Sequence, residues 1–404
     1  LDLQPGRRSS GSIAQFQLPE ALGLTEAFGS SIATDLQVLS SAHGASVEAC
    51  ASRPGNRWFF ANGSTERRRD NYLLVANPFS EEAVISVKIF GPDKQVEPSL
   101  LKEKVVPPLS QTSLFLAEFV PEIPQFGIAV AASQGRVVVS RYSEVATKDG
   151  IKGASLELGA ETLSPSWFFA GGESPTEGEE LLMIVNPDSR EALVDLSFQT
   201  DKDETSPEKL GELAVPAGRQ VAIKTTDYLP RGTKHSTRIT STNGVNVVVE
   251  RQISASKGAR QGFESMLGVP MPAGRWAIPV GSKALGPTLL SVLNPSRKVA
   301  TIGVSILSEG EVSRPEPLSA ISVAPNRAQS IDLSPYLTGP ATAVVSAIGC
   351  PVVAESTLSF GPPFSDFASS SGTSFGGTSP ARAPGATASP PVRPLRRGRS
   401  SMGC

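Results

Sequence analysis

The sequence predicts an all-β protein built of tandem immunoglobulin-like β-sandwich modules, three copies preceded by an N-terminal partial copy. Three observations carry this. Trp58, Trp167 and Trp276 stand 109 residues apart. Asn77-Pro78, Asn186-Pro187 and Asn294-Pro295 follow them at spacings of 109 and 108. Within each copy apolar residues alternate with polar ones. A constant long period marks one structural unit repeated in tandem. A period of two marks strands with one buried face.

Residues 1–56 are too short for a full copy but resemble the last third of one. Ser41-Ala42-His43-Gly44 matches a glycine turn, with a strand before it and Ala45–Ala49 after it. The chain starts at leucine. It reads as a processed or truncated product whose preceding strands are missing or lie on another segment, with any leader or membrane anchor removed upstream.

The first full copy, with its connector, spans 57–165. Ala83, Ile85, Val87 and Ile89 alternate with polar or exposed neighbours, and Asn77-Pro78 ends the strand before them. Proline has no amide donor, so it belongs at strand ends and edges. Apolar runs between turn signals give about seven strands per copy, the number of an immunoglobulin-like sandwich. The second copy, 166–274, repeats the pattern with Ala192, Val194, Leu196 and Phe198. The third, 275–361, repeats it with Ala300, Ile302, Val304 and Ile306. Turn prolines recur at Pro108, Pro216 and Pro325, and glycine turns at Gly135, Gly244 and Gly349. Gly150, Gly153 and Gly159 match Gly258, Gly262 and Gly268, and both sets read as connectors between modules.

Residues 362–404 are rich in serine, glycine and proline and end in Arg393, Arg396, Arg397 and Arg399. Such a segment buries too little apolar surface to offset the entropy of ordering, so a disordered tail is expected. The net charge of the chain is −2. With five arginines against Asp366 in the tail, the remainder is mildly acidic, and nucleic acid is not an expected partner. No run of eighteen apolar residues occurs, so no transmembrane helix is expected. Cys50, Cys350 and Cys404 occupy no repeated position and are read as unpaired.

No constellation for chemistry recurs. His43 is placed in a turn and His235 in a loop, both at the surface, without the ligand spacing of a zinc site. There is no nucleophile elbow and no phosphate loop. Asp201-Lys202-Asp203-Glu204 lacks the spacing of a calcium loop and reads as a solvated hairpin. Asn62-Gly63-Ser64 fits a glycosylation sequon. No cofactor and no metal site is expected.

The candidate binding residues are the repeated ones: Trp58, Trp167, Trp276, Glu250 and Glu355. An exposed tryptophan stacks on sugar rings; one inside Trp-Phe-Phe at the head of a module packs in a core or between domains. Glu250 and Glu355 end two of the three Val-rich runs, where the first copy has Ser140. They either line a repeated groove or serve the fold.

Trp58-Phe59-Phe60-Ala61-Asn62-Gly63, Tyr72-Leu73-Leu74-Val75-Ala76-Asn77-Pro78 and Val352-Val353-Ala354-Glu355 resemble an uncharacterised domain family of secreted or membrane-anchored proteins, mostly actinobacterial. The resemblance covers roughly 35–360. The third copy departs from it at Arg275-Trp276-Ala277, which lacks the second aromatic. The resemblance implies β-sandwich modules in the cell envelope and brings no catalytic residues. The expected function is a non-catalytic envelope or secreted scaffold, spacer or protein-partner array. A cell-wall glycan-binding array is the alternative, and a glycan-active hydrolase a remote one.

Overall fold

The computed structural model describes residues 24–27, 34–40, 42–200, 202–258, 260–282, 284–308, 311–375 and 400–403. It contains three β-sandwiches of the same topology. In the first, one sheet runs Arg57–Phe60, Gly127–Gln134, Ala83–Phe90 and Gln95–Val96, with Lys104–Val106 also on Ala83–Phe90. The other runs Lys152–Leu158, Val138–Ala146, Arg69–Asn77 and Ser110–Phe115. All pairings are antiparallel. The alternating side chains of both sheets meet in one core per copy.

The register repeats with the sequence. Trp58 pairs with Val130, Trp167 with Ile239 and Trp276 with Val345. Each indole Nε1 donates to a carbonyl at 2.9 Å: Val137, Val247 and Val352. The glycine turn and its valine run are thereby tied to the head of the same sandwich. Each asparagine of Asn-Pro bridges three chain segments. Asn186 Nδ2 donates to the carbonyls of Arg190 (2.7 Å) and Val215 (2.9 Å), while its Oδ1 accepts the N–H of Asp188 (3.0 Å). Asn77 and Asn294 do the same in their copies.

The glycine-bearing connectors are strands. Lys152–Leu158 and Gly262–Leu267 pair with the strand before them and complete the second sheet of their sandwiches. The third copy has the equivalent strand at Asp366–Ser370, paired with Val353–Phe360, followed by Thr373–Phe375 on the tryptophan strand. The third module therefore runs to 375, and the expected tail does not begin at 362. Serine and glycine are abundant in 361–375 because small residues suit a crowded site, not because the chain lacks a core to join. Residues 376–399, where the rest of that tail was expected, lie outside the described residues. Ser400–Gly403 pairs with Leu24–Ala27. Cys350 is free, and Cys50 is disulfide-bonded, unlike the expectation.

The crowded site is an axis. Gly44–Ala49, Lys152–Leu158, Gly262–Leu267 and Asp366–Ser370 hold equivalent positions in the four units, and each packs against the next around a closed ring; the pairing registers set Gly44 level with Gly153 and Gly262, not with the glycine turn at Gly135 that the sequence matched it to. The sandwiches are therefore grouped about a common line and not strung in a row. Among the described residues the fourth corner holds the hairpin Asp35–Ser40 and Gly44–Ala49. Its register onto the other hairpins places Asp35 where Glu250 and Glu355 stand in theirs.

Candidate functional site at the buried junctions

The ionisable groups that leave the surface gather where one sandwich meets the next. At the first junction Glu250, at the end of a valine run, reaches into the first sandwich. Its Oε1 accepts the N–H of Ala61 (2.6 Å) and its Oε2 that of Asn62 (3.0 Å). Arg141 of the first sandwich lies 3.0 Å from the same carboxylate and is also paired with Glu157. The second junction repeats this. Glu355 Oε2 accepts the N–H of Gly171 at 3.0 Å, and Arg251 Nη2 meets its Oε1 at 2.6 Å. Glu264 adds a second carboxylate to Arg251 at 2.8 Å. Each junction is thus an acid of one copy held by backbone N–H, two at the first and one at the second, and by an arginine of the copy before it.

Apolar contacts close around the clasps. Phe59 packs into the core of the second sandwich and Phe168 into that of the third, while Phe60 and Phe169 stay in their own. Successive strand residues point to opposite faces, so one aromatic serves the fold and its neighbour serves the junction. Asn62 is enclosed, its Nδ2 donating to Gln252 Oε1 (3.0 Å) and Ser265 Oγ (3.1 Å). It offers no acceptor for a glycan.

His235 is not at the surface. It lies in the strand Lys234–Ser241, 4% exposed, with Nε2 2.6 Å from Glu180 Oε2. The glycine five residues after the tryptophan makes room for it: a Cβ on Gly172 would overlap both His235 and Glu180. The first copy seats Phe126 over Gly63 in the same place. Burial opposes the charge of Glu180, but His235 and Arg251 outweigh it and hold the carboxyl below its ordinary range. His43 is exposed as expected and meets Glu144 at 2.9 Å.

On the axis, three copies have glycine and the last unit has an acid. Gly44, Gly153 and Gly262 leave the space that the Asp366 carboxylate fills; a Cβ on any of them would collide with it. That carboxylate accepts one N–H from each of the four units: Ala45 (3.0 Å), Ala154 (2.9 Å), Phe263 (3.0 Å) and its own neighbour Phe367 (2.9 Å). Burial pushes Asp366 up to about 7 even against these four bonds, which favour the charge. Further along the axis burial pushes Glu48 up to about 8, with Glu250 adding to the effect. Burial and then Glu250 raise Glu157 well above the carboxylate range.

The candidate residues named from sequence are therefore brought to two kinds of place. Trp58, Trp167 and Trp276 are 0%, 1% and 3% exposed, so no indole face is open to a sugar. Glu250 and Glu355 are buried at junctions and line no groove. Arg141 and Asp366 were not singled out. The glycines at 44, 153 and 262 were the available signal for the last of these, since they share one register. Among the described residues no group of three or more His, Cys, Asp or Glu is placed to hold a metal. None of the helices there is long and apolar enough to cross a membrane. A small cleft lined by Thr34, Asp35, Ala49, Ala277, Pro279 and Thr342 lies where the hairpin meets the third sandwich.

The model of a family of unknown function, DUF5719, matches residues 25–166 and 144–391. No curated protein matches the chain. Among solved structures, protein 1070 of Thermotoga maritima is similar at 16% identity and a TM-score of 0.25, over 27% of this chain and 97% of that one. The α-L-rhamnosidase of Streptomyces avermitilis, complexed with L-rhamnose, aligns at 12% identity and a TM-score of 0.15, over 87% of this chain and 40% of that one. Likenesses at these scores bear on neither the fold nor the function.

Proposed function

We propose, for a chain that belongs to the DUF5719 family of unknown function, that it is a non-catalytic scaffold of the cell envelope which presents sandwich surfaces to a protein partner. One observation carries this reading. The ionisable groups gathered at the junctions, Glu180, His235, Arg251, Glu264 and Glu355, are sealed between sandwiches and paired with one another. A general acid or base must reach a proton on its substrate, and these face only protein. Their arrangement supports rigidity. The grouping about an axis favours a compact hub over a linear spacer.

The envelope location rests on the resemblance of the repeat to secreted and anchored domains. Glycan binding by the tryptophans finds no support in their burial. The test is a screen of the purified chain against cell-wall glycans, peptidoglycan fragments and an envelope protein extract, reading retention and product release separately. The proposal expects retention of discrete proteins without product. Product release abolished by substituting one Asp or Glu would overturn it.

A further inference from the structure

We infer that the axis of the ring is a carboxylate-binding site in its own right, for which Asp366 is a ligand tethered to the chain, and which a free carboxylate anion fills when that tethered group is removed. The site is built by repetition. At four equivalent strand positions one residue faces the axis and the next presents its N–H. In three units the facing residues are Gly44, Gly153 and Gly262, and the donors are Ala45, Ala154 and Phe263. In the last unit the facing residue is Asp366 and the donor is Phe367. Three units thus give room and a donor, and the fourth gives a donor and the ligand. Because each donor belongs to a different unit, filling the site ties all four together at one point.

The donors match a carboxylate. Asp366 Oδ2 accepts from Ala45 (3.0 Å) and Ala154 (2.9 Å), and Oδ1 from Phe263 (3.0 Å) and Phe367 (2.9 Å). A pair of donors on each oxygen uses the acceptor capacity of an ionised carboxyl group. All are backbone groups on strands held by sheet pairing. Such preorganised N–H arrays bind anions through their dipoles, without a counter-cation. The room is cut for the same group. A Cβ on Gly44, Gly153 or Gly262 would overlap a carboxylate oxygen. Gly44 and Gly262 also have φ of 132° and 130°, a backbone that residues with a Cβ rarely adopt. These walls admit a planar carboxylate and oppose a tetrahedral sulfate. Chloride has one centre and cannot serve both donor pairs at once. Asp366 and its donors are buried, while Ser365, one residue before, is exposed, so the site lies close to the surface.

The experiment uses the full chain carrying Asp366→Gly, with acetate as the probe that matches the deleted group. A second variant, Asp366→Ala, is paired with formate, so that one ill-fitting combination does not decide the matter. Refolding yield and melting temperature are read in the sodium salt of the probe, in chloride and in sulfate, at one pH and ionic strength. Isotope-labelled probe is titrated in parallel by NMR. In the expected result each variant melts below the parent in chloride and regains melting temperature in its own carboxylate. The gain follows the occupancy of a single site per chain, and the parent, whose site is filled, shows no carboxylate-specific gain. A probe no better than chloride for yield, melting and binding in both variants would overturn the inference. So would a gain matched by sulfate, or one equally large in the parent, since either marks a general salt effect.

Discussion

Glu250 of the second sandwich accepts the backbone N–H of Asn62, in the first, at 3.0 Å. Glu355 does the same to Gly171 one unit later, at the same distance. A carboxylate buried against amides and an arginine is a charge-assisted bond in a low-dielectric site, where geometry sets its worth. The clasp also gives meaning to where the repeat fails. Ser140 replaces the acid in the first sandwich, and Ser356 replaces the arginine in the third. Ala277 replaces the bridging aromatic, and Pro279, which has no N–H, stands where Ala61 and Ala170 do. All four substitutions face the fourth corner, where no complete sandwich lies among the described residues.

Glu250→Ala should lower stability by about 3–5 kcal/mol, because it leaves Arg141 buried with Glu157 alone. The double variant Arg141→Ala, Glu250→Ala should cost less than the two single losses added, with a coupling of about 1–3 kcal/mol. Urea midpoints at constant slope read this out. Strict additivity would show that the two residues do not act as a pair.

Removing the axial carboxylate should loosen the ring without unfolding any sandwich. Asp366→Ala strands the N–H groups of Ala45, Ala154 and Phe263, at about 1–3 kcal/mol for an unsatisfied buried donor. Limited proteolysis should then cut sooner within 361–375, while the circular dichroism of the sheets is unchanged. Unaltered proteolysis would mean that the four strands hold the axis without it.

Stability should fall as pH rises from 6 to 8.5. Asp366 at about 7 and Glu48 at about 8 bind protons more tightly folded than unfolded. Unfolded carboxyls titrate near about 4, so between that value and the folded ones the native state holds the extra protons. Raising the pH through this window therefore removes stability, and above it the loss is complete. Glu180 is shifted the other way and reverses the trend in acid. Melting temperatures across pH 6–8.5 should slope downward, less steeply in Asp366→Asn. A flat profile in the parent would contradict this.

The sandwiches themselves were legible because their signals are local. Alternation, Asn-Pro and glycine turns each act within one strand or turn, and the register of all three copies follows them. The ring was not legible, because nothing in one copy says which copy it touches. His235 looked like a loop residue after Lys234 and proved to be a strand residue whose room is made by Gly172, far away in sequence. The segment 362–375 read as the start of a disordered tail because its serines and glycines carry no apolar period. At an axis where four strands converge, small side chains are what close packing demands. Composition alone cannot separate that case from disorder. The one readable clue was Gly44, Gly153 and Gly262 in a common register, with an acid in place of the fourth.

The buried His235–Glu180 pair provides the sharpest separation between structural and chemical roles. The first sandwich solves the same packing problem without charge, with Phe126 over Gly63 and Asn71 in place of Glu180. His235→Phe alone leaves Glu180 in the interior with only the more distant Arg251, at 3.9 Å, and should cost about 3 kcal/mol. Adding Glu180→Asn removes the stranded charge and installs the first copy's pair. The double variant should return to within about 1 kcal/mol of the parent, since apolar replacements of buried ion pairs are often neutral. Retention of envelope proteins should be the same for parent and double variant. A double variant that melts like the parent but loses retention, or loses a product seen with the parent, would assign this pair a role beyond packing.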